Sequence, residues 1–118
     1  MSQDGLLIGI VGPCSAGKTT LIAGLAAHGH RARHIAQEHS YVPDMWQRLL
    51  KPGVLIYLDV SYEVSMKRRP LEMNASEFAE QCTRLADARQ HADLYIFTDD
   101  LSIQDVLQRV LHFLSGAS

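Results

Sequence analysis

Leu6-Leu-Ile-Gly-Ile-Val11 runs without a polar side chain straight into Gly12-Pro-Cys-Ser-Ala-Gly17-Lys18-Thr19-Thr20, and the reading of this join decides the fold. A strand with one wet face alternates apolar and polar residues. A continuous apolar run suits a strand covered on both faces, as in a parallel sheet. The residues that follow match G-x-x-x-x-G-K-[ST] at every fixed position. That spacing has a physical reason: a polyphosphate is a dense cluster of anionic oxygens, and several backbone N–H groups must converge on it. Gly12 and Gly17 permit backbone angles and a close approach that a Cβ would obstruct. The loop then closes onto a helix start, where free N–H groups and the positive dipole end face the same oxygens. The stretch from Gly12 through Pro13, Cys14, Ser15, Ala16, Gly17, Lys18 and Thr19 to Thr20 is thus expected to bind a nucleoside triphosphate, ATP with Mg²⁺. Lys18 is expected to reach the β- and γ-phosphates, and the Thr19 hydroxyl to ligate the metal.

Outward from the loop, Lys18 to His28 are good helix formers with Leu21, Ile22 and Leu25 on one face, and Gly29 suits a left-handed cap. Arg31 to Ala36 is expected as a second strand. Pro43 fits the first turn of a short helix carrying Met45 and Trp46, which Pro52-Gly53 terminates. Val54 to Val60 is a second continuous apolar strand, ending in Asp59-Val60. Ser61 can cap a helix from Tyr62 to Arg69 that Pro70 stops. Ser76 opens another, with Phe78, Cys82, Leu85 and Arg89 at helical spacing. Leu94 to Phe97 is a short last strand. Ser102-Ile-Gln-Asp105 has the form of a capping box. Behind it, Ile103, Val106, Leu107, Val110, Leu111 and Leu114 repeat as one helical stripe. Strands alternating with helices, with no tight hairpin between them, imply parallel pairing through crossovers. The expected architecture is α/β, a three-layer α/β/α sandwich on a mostly parallel sheet of four strands, with residues 1–118 forming one nucleotide-binding domain.

The bulk numbers agree with that class and exclude others. At 118 residues, 47% hydrophobic and 20% charged, the chain can bury one core. A formal net charge of −2 gives no electrostatic reason to expect nucleic acid or an anionic membrane as partner. No apolar run approaches the ~18 residues that span a bilayer, and Met1 to Gly5 lacks a basic signal-peptide opening. A cytoplasmic location is the expectation. Cys14 and Cys82 are too few for a disulfide framework.

Other residues are candidates beside plainer roles. Asp59 ends an apolar strand and can orient Mg²⁺ through water, or can simply cap the strand end or meet solvent. Glu38 follows the second strand on the side from which substrates approach such sheets, and can take a proton from an acceptor hydroxyl; otherwise it is a surface carboxylate. Arg68 and Arg69 belong to the densest basic run, Lys67-Arg68-Arg69. They either carry positive charge over the transferring phosphoryl group or serve a helix end, where cations are favoured. His28, His30, His34 and His39 are close in sequence, but no Cys or carboxylate completes a recognisable zinc spacing. Cys14 is expected to point away from its loop. The chain has no Asn-Lys-x-Asp guanine motif.

These residues resemble the P-loop kinases of the nucleoside and nucleotide kinase type. Beside the loop, Leu55-Ile-Tyr-Leu-Asp-Val-Ser-Tyr-Glu-Val-Ser-Met-Lys-Arg-Arg69 is similar to their passage from a strand into a lid helix. Ala92-Asp-Leu-Tyr-Ile-Phe-Thr-Asp99 with Leu101-Ser-Ile-Gln-Asp-Val106 is similar to their last strand, adenine-side loop and terminal helix. Gln37 to Trp46 loosely resembles the stretch in which a Glu activates a sugar hydroxyl. The resemblance implies a phosphotransferase using Mg·ATP on a small hydroxylated acceptor, with Lys18, Glu38, Arg68 and Arg69 as catalytic candidates. It also exposes a departure. The family's sheet usually has five strands, and here only His39 to Gly53 separates the second strand from the one at Val54, which leaves no room for a further strand and helix. An acceptor site reduced, borrowed from a partner subunit or lost is the consequence, with a non-catalytic nucleotide-binding module or a slow ATPase as the alternatives. A shortened sheet can also expose an edge that favours a homo-oligomer.

Overall fold

The structure is a computed structural model that describes residues 7–50, 52–68 and 73–116. Four strands form one parallel sheet, in the order β2-β1-β3-β4. They are β1 (Leu7–Val11), β2 (Arg31–His34), β3 (Val54–Asp59) and β4 (Leu94–Phe97). Six helices connect and follow them: α1 (Lys18–Ala27), α2 (Met45–Leu50), α3 (Tyr62–Arg68), α4 (Ala75–Arg84), α5 (Ala86–His91) and α6 (Ile103–Leu114).

The apolar runs in β1 and β3 fill both faces of the sheet. Ile8, Ile10, Ile56 and Leu58 point to one face, where Leu21 and Leu25 of α1 and Val106, Leu107 and Val110 of α6 cover them. Val11, Leu55 and Tyr57 point to the other, where Trp46 of α2 and Leu85 and Ala88 around α5 form a second cluster. This is why neither strand alternates. The α/β/α sandwich expected from the sequence is the observed architecture.

β1 pairs directly with β2, Leu7 opposite Arg31 and Ile10 opposite His34, and on its other side with β3. No fifth strand lies between β1 and β2 among the described residues, in keeping with the short His39–Gly53 interval. β2 ends two residues earlier than the sequence suggests. Ile35 still donates its N–H to Ile10 O, after which the chain tightens into a 3₁₀ turn at Gln37–His39.

Three helix boundaries differ from expectation. α4 starts behind Asn74, whose side chain and Glu77 form a reciprocal capping box, so the cap lies two residues before Ser76. The single helix expected through Arg89 is broken at Leu85. Neither Gly nor Pro causes this. Phe78 packs into the core on one face of the sheet and Leu85 into the core on the other, and a straight helix cannot serve both. Pro43 stands in the turn ahead of α2 rather than in its first turn. The capping box at Ser102 and Asp105 forms as its sequence pattern indicates, and its hydrogen bonds from Ser102 hold the Asp105 carboxyl below its ordinary pKa.

Candidate functional site

The loop between β1 and α1 carries three residues with positive φ: Gly12 at 153°, Ser15 at 68° and Gly17 at 97°. A Cβ on Gly12 would overlap the Leu58 carbonyl oxygen, so only glycine lets this turn lie against β3. Gln81 of α4 fastens the loop from the far side. Its carbonyl accepts from Cys14 N–H at 3.2 Å, and its amide donates to Cys14 Sγ at 3.3 Å. Helix bonding in α1 begins with Leu21 N–H to Gly17 O, and Gly17 supplies no side-chain cap. The N–H groups of Lys18, Thr19 and Thr20 therefore sit in a first turn that has no intrahelical acceptor for them. An anion is the natural partner of such a turn.

Two cavities flank this helix start and meet along Ser15, Gly17 and Thr20. The larger, about 440 Å³, has an apolar wall of Leu21, Leu101, Ile103 and Val106, with Arg68 and Thr98 at its rim. The smaller, about 310 Å³, is polar and is lined by Cys14, Lys18, Thr19, His34, Glu38 and His39.

Lys18 is buried in the smaller one. Its ammonium donates to Gly12 O, to Pro13 O at 3.1 Å and to Glu38 Oε2 at 2.8 Å. Glu38 is 2% exposed, and its other oxygen, Oε1, has no hydrogen-bond partner among the described residues. His34 Nε2 lies 3.5 Å and His39 Nε2 3.9 Å from Glu38 Oε2. Burial, followed by the nearby Lys18 charge, lowers the pKa of His34. The 3₁₀ turn that presents Glu38 is pinned from beneath. Gln37 is wholly buried, donates to Val42 O and Arg84 O, and accepts from Trp46 N–H. Arg84 donates to the Glu38 carbonyl and stacks on Tyr41.

The structure thus brings Lys18, Thr19 and Glu38 to one cavity and sends two other candidates elsewhere. Arg68 folds onto β4's end, donating to Thr98 Oγ1 at 2.9 Å, to Thr98 O at 2.5 Å and to Ser15 O at 3.3 Å. It borders the apolar cavity rather than the one holding Lys18 and Glu38. Arg69 lies outside the described residues. Asp59 closes β3 with Oδ1 accepting from Val60 N–H and Oδ2 from the Tyr95 hydroxyl at 2.5 Å, and it lines neither cavity. Burial and that bond to Asp59 push the Tyr95 hydroxyl up to about 12.

Sequence reasoning missed the side chains that hold these groups in place. Gln37, Gln81 and Thr98 are buried polar residues, and each has a partner at least 30 residues away in the chain, Arg84, Cys14 and Arg68 respectively, so no local pattern marks them. Cys14, expected to point away, faces the polar cavity with Glu38 and His39.

The site fits a polyphosphate and a divalent cation on its own chemistry. Gly12 makes the close turn possible, the Ser15 hydroxyl is buried without a partner among the described residues, and the Thr19 and Lys18 side chains share one polar cavity. Among the described residues no helix is long and apolar enough to cross a membrane. No family model matches the chain, and no curated protein matches it. A solved structure does: shikimate kinase from Acinetobacter baumannii, in complex with shikimate, aligns with a TM-score of 0.65 at 18% identity over 96% of this chain and 95% of that one. With the parallel sheet, the phosphate loop and this superposition in hand, the fold of the chain is that of the P-loop kinases.

Proposed function

We propose that this protein is a small phosphotransferase that uses Mg·ATP on a hydroxylated acceptor. One observation carries the reading: an apolar cavity and a polar, ionisable cavity join at the phosphate loop. A nucleotide laid across that junction puts its base against Leu101, Ile103 and Val106, its phosphates over Gly12–Thr20, and its terminal phosphoryl group beside Lys18 and Glu38. The Arg68 guanidinium, at the rim of the apolar cavity, is placed to stack on a planar base rather than to cover the γ-phosphate.

Lys18 and Glu38 then act as a relay of charge. In the pair, each neutralises the other where both side chains are largely buried. A polyphosphate offers the ammonium stronger partners and frees the Glu38 carboxylate, which can accept the proton of an acceptor hydroxyl as it attacks. Mg²⁺ on the Thr19 hydroxyl would neutralise charge on the phosphate oxygens. Asp59, held by Tyr95, would reach such an ion only through water. Catalysis on this scheme rests on positioning and charge neutralisation. A user of ATP with free thiols at Cys14 and Cys82 suits the cytosol.

The direct β1–β2 pairing favours a second reading, a nucleotide-binding module that has lost its acceptor site. One assay separates them. ADP release is measured with Mg·ATP alone and with a panel of hydroxylated carboxylic acids, shikimate included, and nucleosides. Acceptor-dependent ADP, abolished in Glu38→Gln while ATP binding persists, is the expected result. Tight binding with no turnover on any acceptor would establish the module, and turnover on water alone an ATPase.

A further inference from the structure

We propose that Cys14, Glu38 and His39 form a Zn²⁺ site beside the phosphate loop, distinct from a magnesium position on Thr19. The donor atoms of these three residues lie within 4.8 Å of one another. Zinc bonds of about 2.0–2.3 Å in tetrahedral geometry need ligand separations of roughly 3.3–3.8 Å. Closing the set takes a movement of about 1 Å, and His39, exposed on the 3₁₀ turn, has the rotamer freedom to make it.

The donor chemistry selects the metal. A thiolate, an imidazole and a carboxylate suit zinc, whereas magnesium and calcium take oxygen alone. A second observation points to a ligand independently of this grouping. Glu38 Oε1 is buried and has no partner among the described residues, and an anionic oxygen in that condition is costly unless something cationic meets it. The Lys18 ammonium holds the other oxygen, Oε2, which His39 Nε2 also approaches at 3.9 Å, and it is also held by Gly12 O and Pro13 O. Glu38 can therefore bridge the lysine and a metal. Zinc binding displaces the Cys14 proton to solvent, so the thiolate and the carboxylate offset two of the three positive charges carried by the ion and Lys18. The Gln81 amide already donates to Cys14 Sγ, the kind of outer contact that orients a ligand. A water completes the coordination from the cavity side. The spacing from Cys14 to His39 follows no zinc motif, because the fold, not the local sequence, joins the two.

The test titrates the purified wild-type protein with Co²⁺, followed by Zn²⁺ in competition. One equivalent of Co²⁺ with a thiolate-to-cobalt charge-transfer band, displaced by Zn²⁺, is expected. Cys14→Ser should abolish the band, and Cys82→Ser should keep it. His39→Ala, an exposed change that leaves circular dichroism unaltered, should weaken Zn²⁺ binding at least about tenfold, since losing even an outer contact costs roughly 10–100-fold. No band in the wild type, a band that survives Cys14→Ser or needs Cys82, or unchanged affinity in His39→Ala would each overturn the site.

Discussion

Lys18 carries its charge into a largely buried position, and Glu38 is what makes that tolerable. Removing one member of a buried pair strands the other, which typically costs about 3–5 kcal/mol. Lys18→Ala is therefore expected to lose about 3 kcal/mol of stability, and the double variant Lys18→Ala/Glu38→Gln to regain most of it; urea denaturation of both measures this. His34, beside the same carboxylate, gives the site a pH dependence. Its folded pKa is lowered from 6.5 by burial first and by Lys18 second. The unfolded chain thus binds more protons than the folded one in the window from 6.5 down to the folded value, and stability falls as pH drops through that window. His34→Gln should flatten the slope of stability between pH 7 and 5 in denaturant melts; an unchanged slope would clear His34. At this scale the sequence declared Lys18 and Thr19 through fixed spacing. It could name Glu38 but not its ion pair, because 20 residues and a strand separate the partners. For Asp59 the position at a strand end is legible, while the Tyr95 hydroxyl that engages it sits on a neighbouring strand.

At the level of elements, local rules located most of the structure. Apolar runs gave β1 and β3, and the stripe behind Ser102 gave α6. What they could not give was the break at Leu85, since the residues there are helix-compatible and only the two sides of the sheet force the bend. The packing of α1 on α6 is equally invisible in sequence. A Cβ on Gly24 would stand 3.2 Å from the methyl carbons of Leu107, so glycine lets these helices approach and sets how α6 presents Val106 to the apolar cavity. Gly24→Ala combines a gain in helix propensity with a tight contact and should be near neutral. Gly24→Leu should cost about 1–3 kcal/mol by overpacking and also weaken nucleotide binding, by pushing α6 aside. Thermal melts and ATP titration of the two variants check this; equal stability of Gly24→Leu and the wild type would show that α6 is free to move.

The whole molecule is a P-loop kinase fold drawn on four strands. Its Cα radius of gyration, 13.8 Å, is close to the ~13.5 Å expected for one compact unit of this length. The edge strand β4 leaves Tyr95 and Phe97 partly exposed, as a sheet with an uncovered margin would. Two cores, one per face, pack the sheet under the loop, which supports the proposal that the loop is formed before any nucleotide binds. The absence of an inserted strand between β1 and β2 among the described residues was legible as a count of residues, whereas the pairing that heals the gap was not. The account stands on that preformed loop. Calorimetric titration of Mg·ATP into the wild type and into Lys18→Ala/Glu38→Gln, the variant expected to stay folded, tests it most directly. Saturable binding at one site is expected in the wild type, with an affinity loss of about tenfold or more in the variant, the loss of one charge-assisted contact to phosphate. Equal affinity in the two proteins, or no binding by the wild type, would contradict it.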